Sequence, residues 1–322
     1  MAEDARERRQ LEVAVGVVMN DLGQVLIARR PESVHLGGLW EFPGGKAEPG
    51  ESIEASLARE LKEELGIEVE TSAPLITLTN HYPDLNVRLH VRKVLAFRGQ
   101  AHGREGQPIR WVSVDALSSF PFPDANRPII SALKLPDRYA FLTLSPESLA
   151  DFEARLYALL AQGISLIRIR ETDAMPPVKA DEWIRRTVAW SSPHKADILI
   201  GGDGRRLEAT GAKGLHLRSD QITHPLRQPM PPGCWLAASC HTAEDLVMAH
   251  RIGADFAVLG PVAPTRSHPG AATLGFDGFG ERVSDARIPV FGLGGLTALD
   301  IPAIRAVGGQ GVAAIRGFQS GE

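Results

Sequence analysis

From Gly44 to Ile67 the chain reads Gly-Gly-Lys-Ala-Glu-Pro-Gly-Glu-Ser-Ile-Glu-Ala-Ser-Leu-Ala-Arg-Glu-Leu-Lys-Glu-Glu-Leu-Gly-Ile, and few folds accommodate so many carboxylates on so short a segment. Gly44, Gly45, Pro49 and Gly50 mark turns. After them Ile53, Leu57, Leu61 and Leu65 recur every fourth residue, the spacing of one buried helical stripe. Ser52 or Glu51 caps the helix start, and Gly66 stands where a left-handed residue ends it. Glu60, Glu63 and Glu64 fall beside the stripe at i, i+3 and i+4, within reach of a common point. Carboxylates held so close repel one another, and a hard cation with oxygen ligands offsets the repulsion. Mg2+ is the natural choice, with Mn2+ as a substitute, because it also takes phosphate oxygens. A solvated acidic helix face would explain the carboxylates but not the glycine and arginine spacing.

The chain has 322 residues, a length that predicts two domains of ordinary size. A formal net charge of −4 argues against a surface built for polymeric DNA or RNA. Cys234 and Cys240 have neither metal nor redox spacing and read as buried thiols of a reducing compartment. The charged stretch Met1–Gln10 has no apolar core, and no apolar run is long enough for a membrane span. The expectation is a soluble cytoplasmic protein with small-molecule partners. Its oligomeric state is not legible.

In the first part, predicted to cover residues 1–136, Leu11–Met19, Gln24–Arg30, Val87–Phe97 and Ile109–Val114 read as strands, and Ala125–Leu133 as a closing helix. Mixed strands with flanking helices predict an α/β/α sandwich. In the second, residues 137–322, eight strand-like runs begin at Tyr139, Ser165, Asp197, Gly214, Trp235, Phe256, Pro289 and Gly311. They alternate with helical stretches such as 147–161, 178–190, 243–252 and 298–306. That pattern predicts a (β/α)8 TIM-type parallel barrel, with its chemistry at the carboxyl ends of the strands, and an α/β class for the whole chain.

The spacing from Gly45 to Ile67 resembles the signature of the Nudix hydrolases at every defined position. The likeness extends to the MutT branch of that family through Ala14–Val18, Leu26–Arg30, Glu41–Lys46, Gly103–Pro108 and Phe122–Asn126. It implies a hydrolase that splits a nucleoside triphosphate, typically an oxidised guanine nucleotide such as 8-oxo-dGTP, into monophosphate and pyrophosphate, cleansing the nucleotide pool. It assigns metal binding to Glu60, Glu63, Glu64 and Glu105 with the backbone of Gly45. Glu51 and Arg59 brace loop and helix, and Arg59 belongs with the catalytic set. Arg30, Phe42, Asn126 and Lys46 fall to substrate. Their chemistry suits a purine: a stacking face, a donor–acceptor amide and a guanidinium fork. Taken singly, Arg30 also reads as a surface charge, Phe42 as core and Asn126 as a helix cap. Glu63, Glu64 and Glu105 remain alternatives for the general base. The family's prototype has an arginine after Tyr82-Pro83-Asp84, where this chain has Leu85.

The second part is similar to thiamine phosphate synthase and its TenI relatives. The likeness lies in Ile167–Glu171, Gly202–Arg205, Gly214–Asp220, Ala238–Thr242, Gly260–Thr265 and Gly292–Gly295. It implies Mg2+ on Asp203 and Asp220, substrate contacts at Arg170, Ser239 and Thr265, and a phosphate at Gly294 and Gly295, so that a thiamine-precursor phosphate is the expected ligand. The pattern is broken. The family's Gln-x-Arg-x-Lys run reads Arg168, Arg170, Thr172, its Asn before the first aspartate is Gly202, and a later lysine is His268. The lost cations predict a degenerate domain. The alternatives are a hydrolase of thiamine-pathway pyrophosphates, a bifunctional hydrolase and synthase, or a barrel that only binds a phosphate ligand.

Overall fold

The computed structural model describes residues 9–145, 148–171, 175–224, 230–265, 270 and 272–318. Thr172 and His268 lie outside the described residues, as does Glu147, where a helix is expected to start. The chain divides into two compact units, Met1–Lys134 and Leu135–Glu322.

The first unit runs β1 (Arg9–Val18), β2 (Gln24–Arg29), β3 (Trp40–Glu41), β4 (Gly44–Lys46), α1 (Ile53–Leu65), β5 (Glu68–His81), β6 (Leu85–Arg98), β7 (Ile109–Ser113) and α2 (Arg127–Lys134). Its sheets have the orders β4-β1-β6-β5 and β3-β2-β7. Strand β1 lies parallel to β6 and antiparallel to β4. The period of two along β1 divides its side chains between two cores. Ala14 and Val18 join Leu57, Leu61 and Leu65 of α1. Val15 and Val17 join Ile129 and Ala132 of α2. A helix therefore covers each face, which is the expected sandwich.

Helix α1 begins at Ser52, whose Oγ accepts from the Ala55 N–H at 3.2 Å, and ends at Gly66 with φ 69°. Ser52 is thus the cap, and Glu51 is left to pair elsewhere. The 14-residue strand β5 is not foreseen by the sequence pattern. Its pairing with β6 shifts register three times between Val69 and Ile76, around Pro74, so its side chains never alternate cleanly.

The second unit runs β8 (Arg138–Leu144), α3 (Leu149–Ala161), β9 (Leu166–Glu171), α4 (Pro177–Ser191), β10 (Asp197–Ile200), α5 (Gly204–Thr210), β11 (Gly214–Leu217), β12 (Trp235–Cys240), α6 (Ala243–Arg251), β13 (Phe256–Leu259), α7 (Gly275–Val283), β14 (Val290–Leu293), α8 (Ile301–Ala306) and β15 (Gly311–Ala314). The eight strands close into a barrel in sequence order, all parallel. Each overlaps its sequence expectation. Helices α5 and α7 do not follow from propensity: α7 carries Gly275, Gly278 and Gly280, each worth about 1 kcal/mol against helix, and folds because Phe279 and Val283 are buried. Inside the barrel lies a core of Tyr139, Phe141, Leu166, Leu199, Phe256 and Phe291. Ile167 and Ile169 pack outward against the helices. By alternation Arg168 and Arg170 face inward with Leu166. Cys240 is buried but Cys234 only half-buried, a partial departure from two buried thiols. Among the described residues no helix is long and apolar enough to cross a membrane.

The α1 stripe yields a stability test. Leu61 is fully buried, so Leu61→Ala is expected to destabilise the first unit by about 2–5 kcal/mol, read as a lower denaturant midpoint. A change of a few tenths would show that the stripe is not the core contact described.

Candidate active site

The acidic site forms where α1 meets the Gly44–Gly45 turn. Gly44 has φ 141°, and a Cβ there would lie 2.1 Å from the Ala14 carbonyl oxygen. A Cβ on Gly45 would fall 2.2 Å from the Glu60 carboxyl carbon, so the backbone and Glu60 share space that no side chain can enter. The Gly44 N–H donates to Glu64 Oε2 at 3.2 Å. Burial, and then the charges of Glu41, Glu60 and Glu105, push the Glu64 carboxyl up to about 7, against only the Gly44 hydrogen bond. Four carboxylates therefore sense one another around a single half-buried centre.

Arg59 holds the other flank. Its Nε donates to Glu51 at 3.1 Å and its Nη2 to the same carboxylate at 2.9 Å, a two-pronged pair. Nη1 reaches Glu60 at 2.8 Å and Glu63 at 3.3 Å, and Nη2 also reaches the Lys46 carbonyl at 3.1 Å. These bonds keep Arg59 charged and tie the loop to the helix, the bracing the sequence predicts.

The loop before β7 completes the arrangement. The Arg104 N–H donates to the Glu64 carbonyl at 2.9 Å and the Gln107 amide at 3.1 Å, which sets the intervening Glu105 beside Glu64. Glu105 itself is exposed, and Glu63 is 58% exposed at its side chain. Glu41 is absent from the sequence-derived site. Burial raises its pKa against the pull of Arg30, with which it forms an ion pair. Its position in Trp40-Glu41-Phe42-Pro43-Gly44-Gly45, just before the glycine turn, is the signal that would have found it.

The substrate residues are distributed unevenly. Arg30 also donates to the His35 carbonyl at 3.1 Å, so its fork is largely occupied. Phe42 is 4% exposed and stacks on Phe122 at 5.5 Å; as placed, it packs the core instead of offering an open face. The Asn126 side chain is half-buried and makes no hydrogen bond among the described residues. The Lys46 side chain is exposed.

In the barrel the expected pair of aspartates is already engaged. Asp203 caps α5, its Oδ1 accepting from the N–H groups of Arg205 and Arg206 at 3.1 and 3.2 Å. Asp220 takes both prongs of Arg218 at 3.0 and 2.9 Å. Gly294 and Gly295 have φ 101° and 67°, and a Cβ on either would strike the Pro261–Pro264 segment, so tight packing alone requires both glycines. Val262 N–H and Ala263 N–H bond to the carbonyls of Leu293 and Gly294 there. Ser239 Oγ lies 2.9 Å from His216 Nε2, and Arg170 donates to Thr143 at 3.3 Å. Thr265 lies beyond β13, half-buried. His216 and His241 do not form a metal pair: His216 bonds Tyr139 and Ser239, and His241 Nδ1 faces the Gly260 carbonyl at 3.0 Å.

Among the described residues no three acidic, histidine or cysteine side chains are gathered into a finished metal cage. The first unit nonetheless suits a hard cation: the donors are oxygens, the carboxylates repel, and Gly45 leaves its backbone open beside Glu60. The barrel aspartates, one capping a helix and one neutralised by arginine, suit it poorly.

A family model described as NUDIX domain matches residues 14–132, and one described as Thiamine monophosphate synthase matches residues 140–318. The chain is 38% identical over 126 residues to an 8-oxo-dGTP diphosphatase of Escherichia coli (strain K12), covering 39% of this chain and 98% of that protein. It is 35% identical over 124 residues to a CTP pyrophosphohydrolase of the same organism, covering 38% and 91%. A thiamine-phosphate synthase of Salinispora tropica is 30% identical over 152 residues, covering 47% of this chain and 73% of that protein. The chain belongs to the NUDIX domain family through its first unit and to the thiamine monophosphate synthase family through its second.

Proposed function

We propose that the first unit is a Mg2+-dependent nucleoside triphosphate pyrophosphohydrolase whose preferred substrate is 8-oxo-dGTP. The observation that carries the reading is the acidic centre at the Gly44–Gly45 turn, where the Gly44 N–H anchors Glu64 and Arg59 holds Glu51, Glu60 and Glu63. The 38% identity to an 8-oxo-dGTP diphosphatase supports the substrate class.

Glu60, Glu63, Glu64 and Glu105, with the Gly45 backbone, would hold the metal. When bound, it supplies positive charge to the phosphate oxygens and makes water more acidic. Arg59 fixes Glu51 and Glu60 so that the loop keeps its shape as substrate arrives. Glu63, Glu64 and Glu105 are the carboxylates at this centre available to accept a proton from the attacking water. The water oxygen bonds to phosphorus, the anhydride P–O bond breaks, and pyrophosphate leaves with the nucleoside monophosphate as the other product. Asn126 has a donor and an acceptor for a purine edge, and Arg30 and Lys46 are the cations assigned to the nucleotide.

The barrel acts in this reading as a ligand-binding domain and not as a synthase, since Asp203 and Asp220 are both engaged. A second reading, hydrolysis of a thiamine-pathway pyrophosphate, is favoured by the thiamine monophosphate synthase match on the same chain. Pyrophosphate release across 8-oxo-dGTP, dGTP, CTP and a pyrimidine pyrophosphate separates the two. The expected order places 8-oxo-dGTP first, with activity abolished by EDTA and lowered roughly 100-fold or more in Glu64→Gln. Faster turnover of the pyrimidine pyrophosphate would replace the first reading by the second.

The Glu64 shift also predicts a stability effect opposite to the activity effect. The folded protein keeps the Glu64 proton up to about pH 7, whereas an ordinary glutamate carboxyl releases it near 4.5. The folded state thus binds more protons between these values, and the chain loses stability as pH rises through that window. In EDTA at pH 8, Glu64→Gln is expected to be more stable than wild type by up to about 3 kcal/mol, with the gain vanishing below pH 4.5. Equal unfolding midpoints at both pH values would remove Glu64 as a strained centre.

A further inference from the structure

Arg168 is the buried side chain that the chemistry of the first unit leaves unexplained. It is 9% exposed and lies on β9 between Leu166 of the inner barrel core and Arg170 nearer the mouth. Its guanidinium sits over the Phe141 ring, 5.3 Å from the centroid. Its Nε is buried with no hydrogen-bond partner. Among the described residues neither Arg168 nor Arg170 has a carboxylate partner. The nearby acids are committed elsewhere: Glu171 to Arg206 at 2.7 Å and Asp220 to Arg218 at 2.9 Å.

The two ring groups nearest Arg168, Tyr139 and His216, are neutral, while the charges of Arg170, Glu171 and Arg218 act on it from further away. Burial, then the Arg168 charge, pushes His216 far below its ordinary range, and burial keeps Tyr139 a phenol. Tyr139 Oη and His216 Nδ1 are 2.7 Å apart, and His216 Nε2 lies 2.9 Å from Ser239 Oγ. The phenol has no other acceptor among the described residues, so it donates to Nδ1. His216 Nε2–H then donates to Ser239, whose own hydroxyl proton is left to donate inward. Among the described residues, two guanidinium groups without a carboxylate partner and one hydroxyl therefore present only donors to the barrel interior. A buried cation without an acceptor is destabilising, and an oxyanion supplies what is missing.

The sequence carries the same message. Against the run it resembles, the chain gains a cation at 168 and lacks one at 172. The gained cation lies on the inner part of β9, between Leu166 and Arg170. We propose that the barrel binds a small molecule through an oxyanion seated at Arg168, one side-chain layer inside the mouth, with Arg170 and the Ser239 hydroxyl as further donors. The planar guanidinium fork suits a carboxylate or a phosphate equally. The proposal is independent of nucleotide hydrolysis by the first unit.

Titration calorimetry on the full chain in EDTA tests it, with orthophosphate and benzoate as separate probes at fixed ionic strength. Saturable binding of at least one probe is expected, weakened roughly tenfold or more in Arg168→Gln and Arg168→Met. Ser239→Ala, which leaves the arginine in place, is expected to weaken it about threefold or more and serves if the arginine variants do not fold. The tighter probe identifies the oxyanion as phosphate or carboxylate. In thermal unfolding, the bound probe raises the wild-type midpoint and leaves the Arg168 variants unmoved, while their 8-oxo-dGTP hydrolysis stays at the wild-type rate. The proposal is overturned if neither probe binds saturably, or if binding and the thermal shift persist within about twofold in the variants.

Discussion

Like-charge repulsion at the carboxyl-terminal half of α1 is the constraint on which the first unit is built. Helical spacing brings Glu60, Glu63 and Glu64 to one end of the helix, and folding adds Glu41 and Glu105. Within α1, Arg59 offsets part of that repulsion through Glu60 and Glu63. The fold extends this with the same arginine and one backbone N–H: Arg59 draws Glu51, Glu60 and Glu63 together, and Gly44 anchors Glu64. The glycine pair works because it has no side chains, so the turn can approach Glu60 and Ala14 more closely than any other residue would allow. Stability and function oppose each other here. Burial and the neighbouring charges raise the Glu64 carboxyl, a penalty that a bound cation would offset.

The barrel shows the same opposition with the sign of charge reversed. Arg168 and Arg170 face inward with no carboxylate beside them among the described residues, and the Tyr139–His216–Ser239 chain adds only donors. Arg206 engages two acids beside the barrel strands. It holds Glu171 and Asp181 and donates to the Gly201 carbonyl at 3.0 Å. A closed parallel barrel makes this arrangement possible, because alternate residues of every strand converge on one axis.

Much of this is legible in residue order. The stripe Ile53, Leu57, Leu61, Leu65 and its flanking cap and glycine give α1, since helix period and end signals are local properties. All eight barrel strands appear as apolar runs for a similar reason: strands buried on both faces are continuous in sequence. The misses are equally physical. Strand β5 hides because its bulges around Pro74 destroy alternation. Helix α7 hides because its glycines oppose helix formation and only burial of Phe279 and Val283 compensates. The family resemblance makes Asp203 a metal ligand, and the structure adds that its Oδ1 caps α5, a role that depends on where α5 begins.

The sequence by itself determined the α/β class, the acidic helix and the two family memberships, because each rests on short-range spacing that a linear chain displays. The tertiary structure decided which charges meet. Whether Glu41 joins the acidic centre, whether Phe42 faces a ligand or Phe122, and whether Arg168 finds a counter-ion depend on strands distant in sequence. Electrostatic energy follows distance through space and burial from water, and neither quantity is written along the chain.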